Sequence, residues 1–134
     1  MNVRKLVLLL LVSLCSACAA LSAADQLNKF DASLNQYGSA LRWGNYLEAY
    51  SFHIRRDKTQ PKADFDKLEK FSIVSFDVLE RISNPDSTGI SLLVEISYYD
   101  RQLGTLRKIK QKQVWWFNGE IKRWLTEADF PDLK

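Results

Sequence analysis

The chain has 134 residues, with 19 Lys or Arg against 16 Asp or Glu for a net charge of +3, two cysteines and one histidine. Setting aside a leader that carries Arg4 and Lys5 brings the balance close to neutral, so nucleic-acid binding has no global electrostatic support. What remains is one domain's worth of chain, enough to bury a core without a second domain.

Arg4 and Lys5 precede an apolar run of leucine and valine, Leu6 to Leu14, which is followed by Ser16, Ala17, Ala19 and Ala20. This charged, apolar, small-residue order is that of a secretory signal. A membrane span needs about 20 apolar residues, and the run breaks at Ser13, Cys15 and Ser16 before that length. Both cysteines lie at its end. A disulfide between Cys15 and Cys18 would staple a segment about to be removed. A metal site has little to draw on, because the rest of the chain has no thiol and its one histidine, His53, is distant in sequence. The stretch "LCSAC" resembles the lipobox of bacterial lipoproteins, and the resemblance implies that Cys18 is diacylated and becomes the new N-terminus. Cys15 stands where that family usually has leucine. Cleavage after Ala24 in "LSAADQ", giving a soluble periplasmic protein, is the alternative. Ala19, directly after Cys18, implies by the same resemblance the periplasmic face of the outer membrane. The expected layout is a signal peptide over 1–17, a lipidated tether over 18–24 and a single domain over 25–134.

Leu27, Phe30, Leu34, Tyr37 and Leu41 recur at spacings of three and four and predict an amphipathic helix. Gly44 suits its C-terminal cap and Asn45 the N-cap of the next helix. That second helix would carry Leu47, Tyr50 and Ile54 on one face and end in the polar "RRDKTQPK". A short third helix through "ADFDKLEK" would bury Phe65 and Leu68. From Phe71 the period changes to two, and "SIVSFDVLERI", "GISLLVEISYY", "TLRKIKQKQVWWF" and "EIKRWLTE" read as four strands. Asn118-Gly119 between the last two predicts a two-residue hairpin, with Phe117 opposite Glu120, Trp115 opposite Lys122 and Gln113 opposite Trp124. Tyr99 opposite Leu106 sets Glu95 beside Lys110. Ile90, Leu92, Val94, Ile96, Ile109, Trp115, Phe117 and Trp124 then share one face, and Ser91, Glu95, Ser97, Lys108, Lys110 and Lys112 the other.

Helices first and an antiparallel meander afterwards predict an α+β fold, N-terminal helices packed on a curved antiparallel sheet of about four strands. With "VWWF" and "RWL" on long terminal strands, residues 25–130 resemble in element order the nuclear transport factor 2-like superfamily, which implies a cone. "ALRWGNYLEAY" resembles part of a tetratricopeptide unit, but a solenoid needs about three copies and no second one occurs. One helical hairpin is the simpler reading.

Cone folds of that superfamily include isomerases and hydrolases with an acid or base inside the cone. Here Gln111 and Gln113 interrupt the inner face, with Trp115, Trp124, Tyr98 and Tyr37 nearby, and these six form the candidate pocket. Amides cannot act as a general base near neutral pH. Asp77 alternates outward, and His53 reads as a partly buried histidine at a helix end, favoured by the helix dipole. No catalytic residue, metal or cofactor is therefore expected. Lys108, Lys110 and Lys112 solvate the outer face or meet anionic lipid or an acidic partner. Val114, Trp116, Ile121 and Leu125 make an apolar candidate interface on the same face. Its cover would be a second copy in a homodimer, a partner, or the tail "ADFPDLK" with Phe130 as plug. The function expected is a lipid-anchored periplasmic binding or assembly module, holding a small apolar ligand or an envelope protein. A cone-fold enzyme of isomerase or hydrolase type and a structural accessory subunit of an envelope complex are the alternatives.

Overall fold

The computed structural model describes the backbone of residues 2–83 and 89–134, and their side chains apart from 6 and 8–23. The side chain of the predicted acylation site Cys18, and all of the predicted loop "NPDSTG" except Gly89, therefore lie outside what is described. Among the described residues three helices, α1 (Val3–Arg42), α2 (Tyr46–Tyr50) and α3 (Phe65–Leu68), precede four strands: β1 (Phe71–Ser83), β2 (Gly89–Asp100), β3 (Leu106–Asn118) and β4 (Arg123–Thr126). The strands form one antiparallel sheet in the order β1-β2-β3-β4, and the helices pack against it, so the fold is α+β. The chain divides into two compact units, Met1–Ala32 and Ser33–Lys134. Among the described residues no helix is long and apolar enough to cross a membrane.

The end of α1 follows from its sequence. Gly44 has φ 73°, and the amides of Gly44 and Asn45 donate to the carbonyls of Leu41 and Ala40 at 3.2 and 2.8 Å. This paired closure, with a left-handed glycine, is the Schellman arrangement. No atom lies within 4 Å of where a Cβ on Gly44 would stand, so a substitution meets only backbone strain. Gly44→Ala is expected to cost about 1 kcal/mol, read as a melting temperature lowered by several degrees. Gly38 serves another purpose: a Cβ there would stand 3.0 Å from Phe76 Cδ1, so its absence lets α1 approach β1 closely.

α2 is shorter than its periodicity suggested. It buries Tyr46 and Ala49, while Leu47, expected on the buried face, is 74% exposed. Ile54 lies beyond the helix, which ends in a turn at Ser51 and Phe52. Tyr46 fixes the rotation by donating its hydroxyl to the Phe71 carbonyl at the start of β1. Asn45 occupies the N-cap position, but its side chain makes no capping bond. Asp64 does cap α3, accepting from the Lys67 amide at 3.0 Å.

The β2/β3 register is the expected one, with Tyr99 opposite Leu106 and Glu95 opposite Lys110. The β3/β4 register is not. Asn118 pairs with Arg123, Phe117 with Trp124, Trp116 with Leu125 and Trp115 with Thr126, so the loop comprises residues 119–122. Asn118 Oδ1 accepts from the amides of Glu120 and Ile121, and Lys122 takes the left-handed conformation at φ 51°. The asparagine thus makes a turn through its side chain instead of serving as a central residue of a tight hairpin. The slip is even in residue count, and the side-chain period is two, so the faces of the residues that stay in the strands survive it, while Ile121, expected on the outer face of the last strand, lies in the loop. Trp124 still lies with Trp115 and Phe117, and Leu125 with Trp116.

Candidate functional site

Tyr37 on α1 stands over the inner face, its ring 5.4 Å from those of Phe76 and Trp115 and 5.8 Å from Phe52. Its hydroxyl lies 2.9 Å from His53 Nε2, and His53 Nδ1 lies 2.8 Å from the Ala128 carbonyl. A carbonyl only accepts, so Nδ1 carries the proton and Nε2 accepts from the tyrosine. His53 is fully buried, not partly exposed at a helix end. Burial pushes its pKa down to about 4, against the opposing pull of the Ala128 carbonyl and the Asp129 carboxylate. The ring is therefore neutral near pH 7, and a helix dipole that favours a cation has no charge there to act on. Burial likewise raises the Tyr37 phenol well above its ordinary value, with the Gln113 side chain pulling the other way.

The two glutamines form a polar line along β3. Trp115 Nε1 donates to Gln113 Oε1 at 3.0 Å, Gln113 Nε2 to Gln111 Oε1 at 3.0 Å, and Gln111 Nε2 to the Asp129 carbonyl at 2.8 Å. Four of the six predicted pocket residues, Tyr37, Gln111, Gln113 and Trp115, are thus brought together. Of the other two, Trp124 lies on the same face as Trp115 and packs on Phe117, and the Tyr98 hydroxyl donates to the Lys134 carbonyl. No buried side-chain N or O among the described residues lacks a partner.

The segment 127–134 runs along this inner assembly. Phe130 enters an aromatic nest of His53, Tyr50 and Phe65, with ring centroids at 5.0, 5.8 and 6.3 Å, and Leu133 is buried. Glu127, Asp129 and Asp132 pair with Arg56, Arg55 and Lys67 at 3.7, 2.5 and 2.7 Å. All three pairs are partly exposed, so burial of Phe130 and Leu133 outweighs them in holding the segment.

Phe130 is accordingly not the cover over Trp116. That role falls to Ile54–Arg56: Trp116 Nε1 donates to the Ile54 carbonyl at 2.9 Å, and the Arg56 guanidinium lies 5.9 Å from the indole centroid. Of the predicted interface, Leu125 is fully buried, Trp116 is half-buried, and Val114 and Ile121 are 40% and 56% exposed, the latter in the loop. A cleft of about 1050 Å³ opens between segments 60–68 and 129–133, with Phe65, Phe130, Lys62 and Lys67 in its lining. Among the described residues no group of three or more His, Cys, Asp or Glu is placed to hold a metal ion.

Sequence reasoning missed the central position of His53. Its one available signal was the run "SFHI", a single histidine between two large apolar residues. The class defined by this geometry is an α+β domain with an internally bonded inner face. No family model, curated protein or solved structure matches the chain.

Proposed function

We propose that this chain is a non-catalytic binding module of the cell envelope, carried on acyl chains at Cys18 at the periplasmic face of the outer membrane. It docks onto a protein partner with its surface instead of enclosing a small molecule. The observation that carries this reading is the inner polar assembly. His53, Tyr37, Gln113 and Gln111 are bonded to one another and to main-chain carbonyls, which leaves no acid and base poised across an open position. A neutral histidine whose pKa is pushed down to about 4 is a poor general base. Element order supports a cone of the nuclear transport factor 2-like type, and the cleft between 60–68 and 129–133 is the proposed docking place.

Globomycin, which blocks the lipoprotein signal peptidase, is expected to accumulate a precursor. A photo-crosslinking residue at Lys62, in the cleft, is expected to capture one discrete envelope protein, and the same residue at exposed Arg42 is not. Native mass spectrometry that finds a stoichiometric small molecule with the purified protein, without any crosslinked partner, would overturn the docking reading.

A further inference from the structure

The outer face of the sheet carries a pattern that appears only once the two registers are combined. Reading across β1, β2 and β3, its successive rows are Ser75–Ser97–Lys108, Asp77–Glu95–Lys110, Glu80–Leu93–Lys112 and Ile82–Ser91–Val114. In the second and third rows β1 supplies a carboxylate where β3 supplies an ammonium. In the fourth both ends are apolar and open to solvent, Ile82 at 63% and Val114 at 40% exposure. β1 and β3 are two strand spacings apart, roughly 10 Å, with β2 between them, so the two ends of a row do not satisfy one another directly.

A two-fold axis parallel to the strands and running over β2 exchanges the two ends of every row. From these rows we infer that the outer face is a self-recognition surface, and that its occupant is a second copy of this chain packed sheet on sheet about such an axis. Asp77 then faces Lys110 of the other copy, Glu80 faces Lys112, Ile82 faces Val114, and Leu93 faces its own counterpart at the axis. Each contact off the axis is made twice, as an isologous interface requires. Serines at positions 75, 91 and 97 keep the ground between the charges low, which lets two sheets approach to their ordinary packing distance of about 10 Å. Glu95 also meets its counterpart at the axis, and Lys108, 3.3 Å from it in the same chain, offsets that repulsion.

The charge count decides against the other occupants of a lysine row. Lys108, Lys110 and Lys112 are matched on the same face by Asp77, Glu80 and Glu95, so anionic headgroups or nucleic acid gain no net attraction there. The inference is independent of the cleft and of the anchor proposed above.

The experiment is native mass spectrometry of the purified protein released from detergent, reading one chain against two. The wild type is expected to give a dimer that weakens as salt rises. Lys110→Glu/Lys112→Glu places only acids on both ends of the central rows, and Asp77→Lys/Glu80→Lys places only bases there. Each protein alone is expected to dissociate about 100-fold more readily, because every reversal acts at two symmetry-related contacts. An equimolar mixture of the two is expected to recover a dimer containing one of each. A monomeric wild type, a reversed protein that dimerises as tightly as wild type, or a mixture that stays monomeric overturns the inference. If either variant melts early, the salt dependence of the wild type decides alone, and a dimer that tightens with salt overturns it.

Discussion

Between pH 7 and pH 4 the domain is expected to lose about 3 kcal/mol of stability through His53 alone. The sign follows from the direction of the shift. Burial lowers the folded-state pKa from 6.5 to about 4, so on acidification the unfolded chain takes up its proton first. The stabilisation is complete above about pH 6.5, declines as the pH falls, and stops declining below about pH 4. Denaturant titrations at pH 7 and pH 4.5 should show the loss in the wild type and little of it in His53→Gln, which keeps a donor and an acceptor but does not titrate. Asp57, Asp100 and Asp132, held below their ordinary range chiefly by hydrogen bonds, add acid sensitivity in a lower window that both proteins share. Since the chain has one histidine, its ring resonance can be followed without assignment, and it should titrate near 4.

Phe130→Ala should destabilise the domain by about 3 kcal/mol, the common cost of emptying a buried phenylalanine site. Phe130 is 6% exposed and touches Tyr50, His53 and Phe65. The consequence reaches further than a cavity, because the segment it anchors supplies the Ala128 carbonyl to His53 and the Asp129 carbonyl to Gln111. With the anchor gone, water reaches both acceptors, so amide exchange over 127–134 should accelerate and the His53 pKa should rise toward its ordinary value. A variant that loses stability while His53 still titrates near 4 would show that Phe130 is packing alone and does not hold the segment in place.

The strand faces were legible because alternation is a local property, with no knowledge of partners required. Ile90, Leu92, Val94, Ile96, Trp115 and Trp124 are all buried as their parity demanded. That robustness has a limit, shown by the last hairpin: parity survived an even slip, but the partner of each residue did not. Asn118-Gly119 carries a real turn signal, yet Asn118 uses its side chain to cap a longer loop, and the choice between the two closures is made by where Trp124 packs. α2 failed for a related reason, since five residues offer too little periodicity to fix a rotation that the Tyr46 bond to Phe71 decides.

Of the candidate site, Gln111 and Gln113 stood out in the sequence because polar residues on an apolar parity are rare, and an amide so placed has to be bonded. What bonds them was not readable. Their acceptor is a main-chain carbonyl of a segment that the alternation pattern leaves as tail, and every polar residue there reads equally well as solvated. The same holds for the basic residues Arg55, Arg56 and Lys67 and the acids they meet more than 60 positions later.

The sequence by itself therefore determined the α+β class, the helix stop at Gly44, the β2/β3 register and the two faces of the sheet, all of which depend on neighbours within a few residues or one turn. Only the tertiary structure decided that the single histidine is buried and neutral, that Ile54–Arg56 lies on Trp116, and that segment 127–134 closes on the inner face. It also decided that acids on β1 lie level with lysines on β3, two strands away. Each of these depends on which distant segments exclude water from one another, and the desolvation that lowers the His53 pKa exists only when they have met.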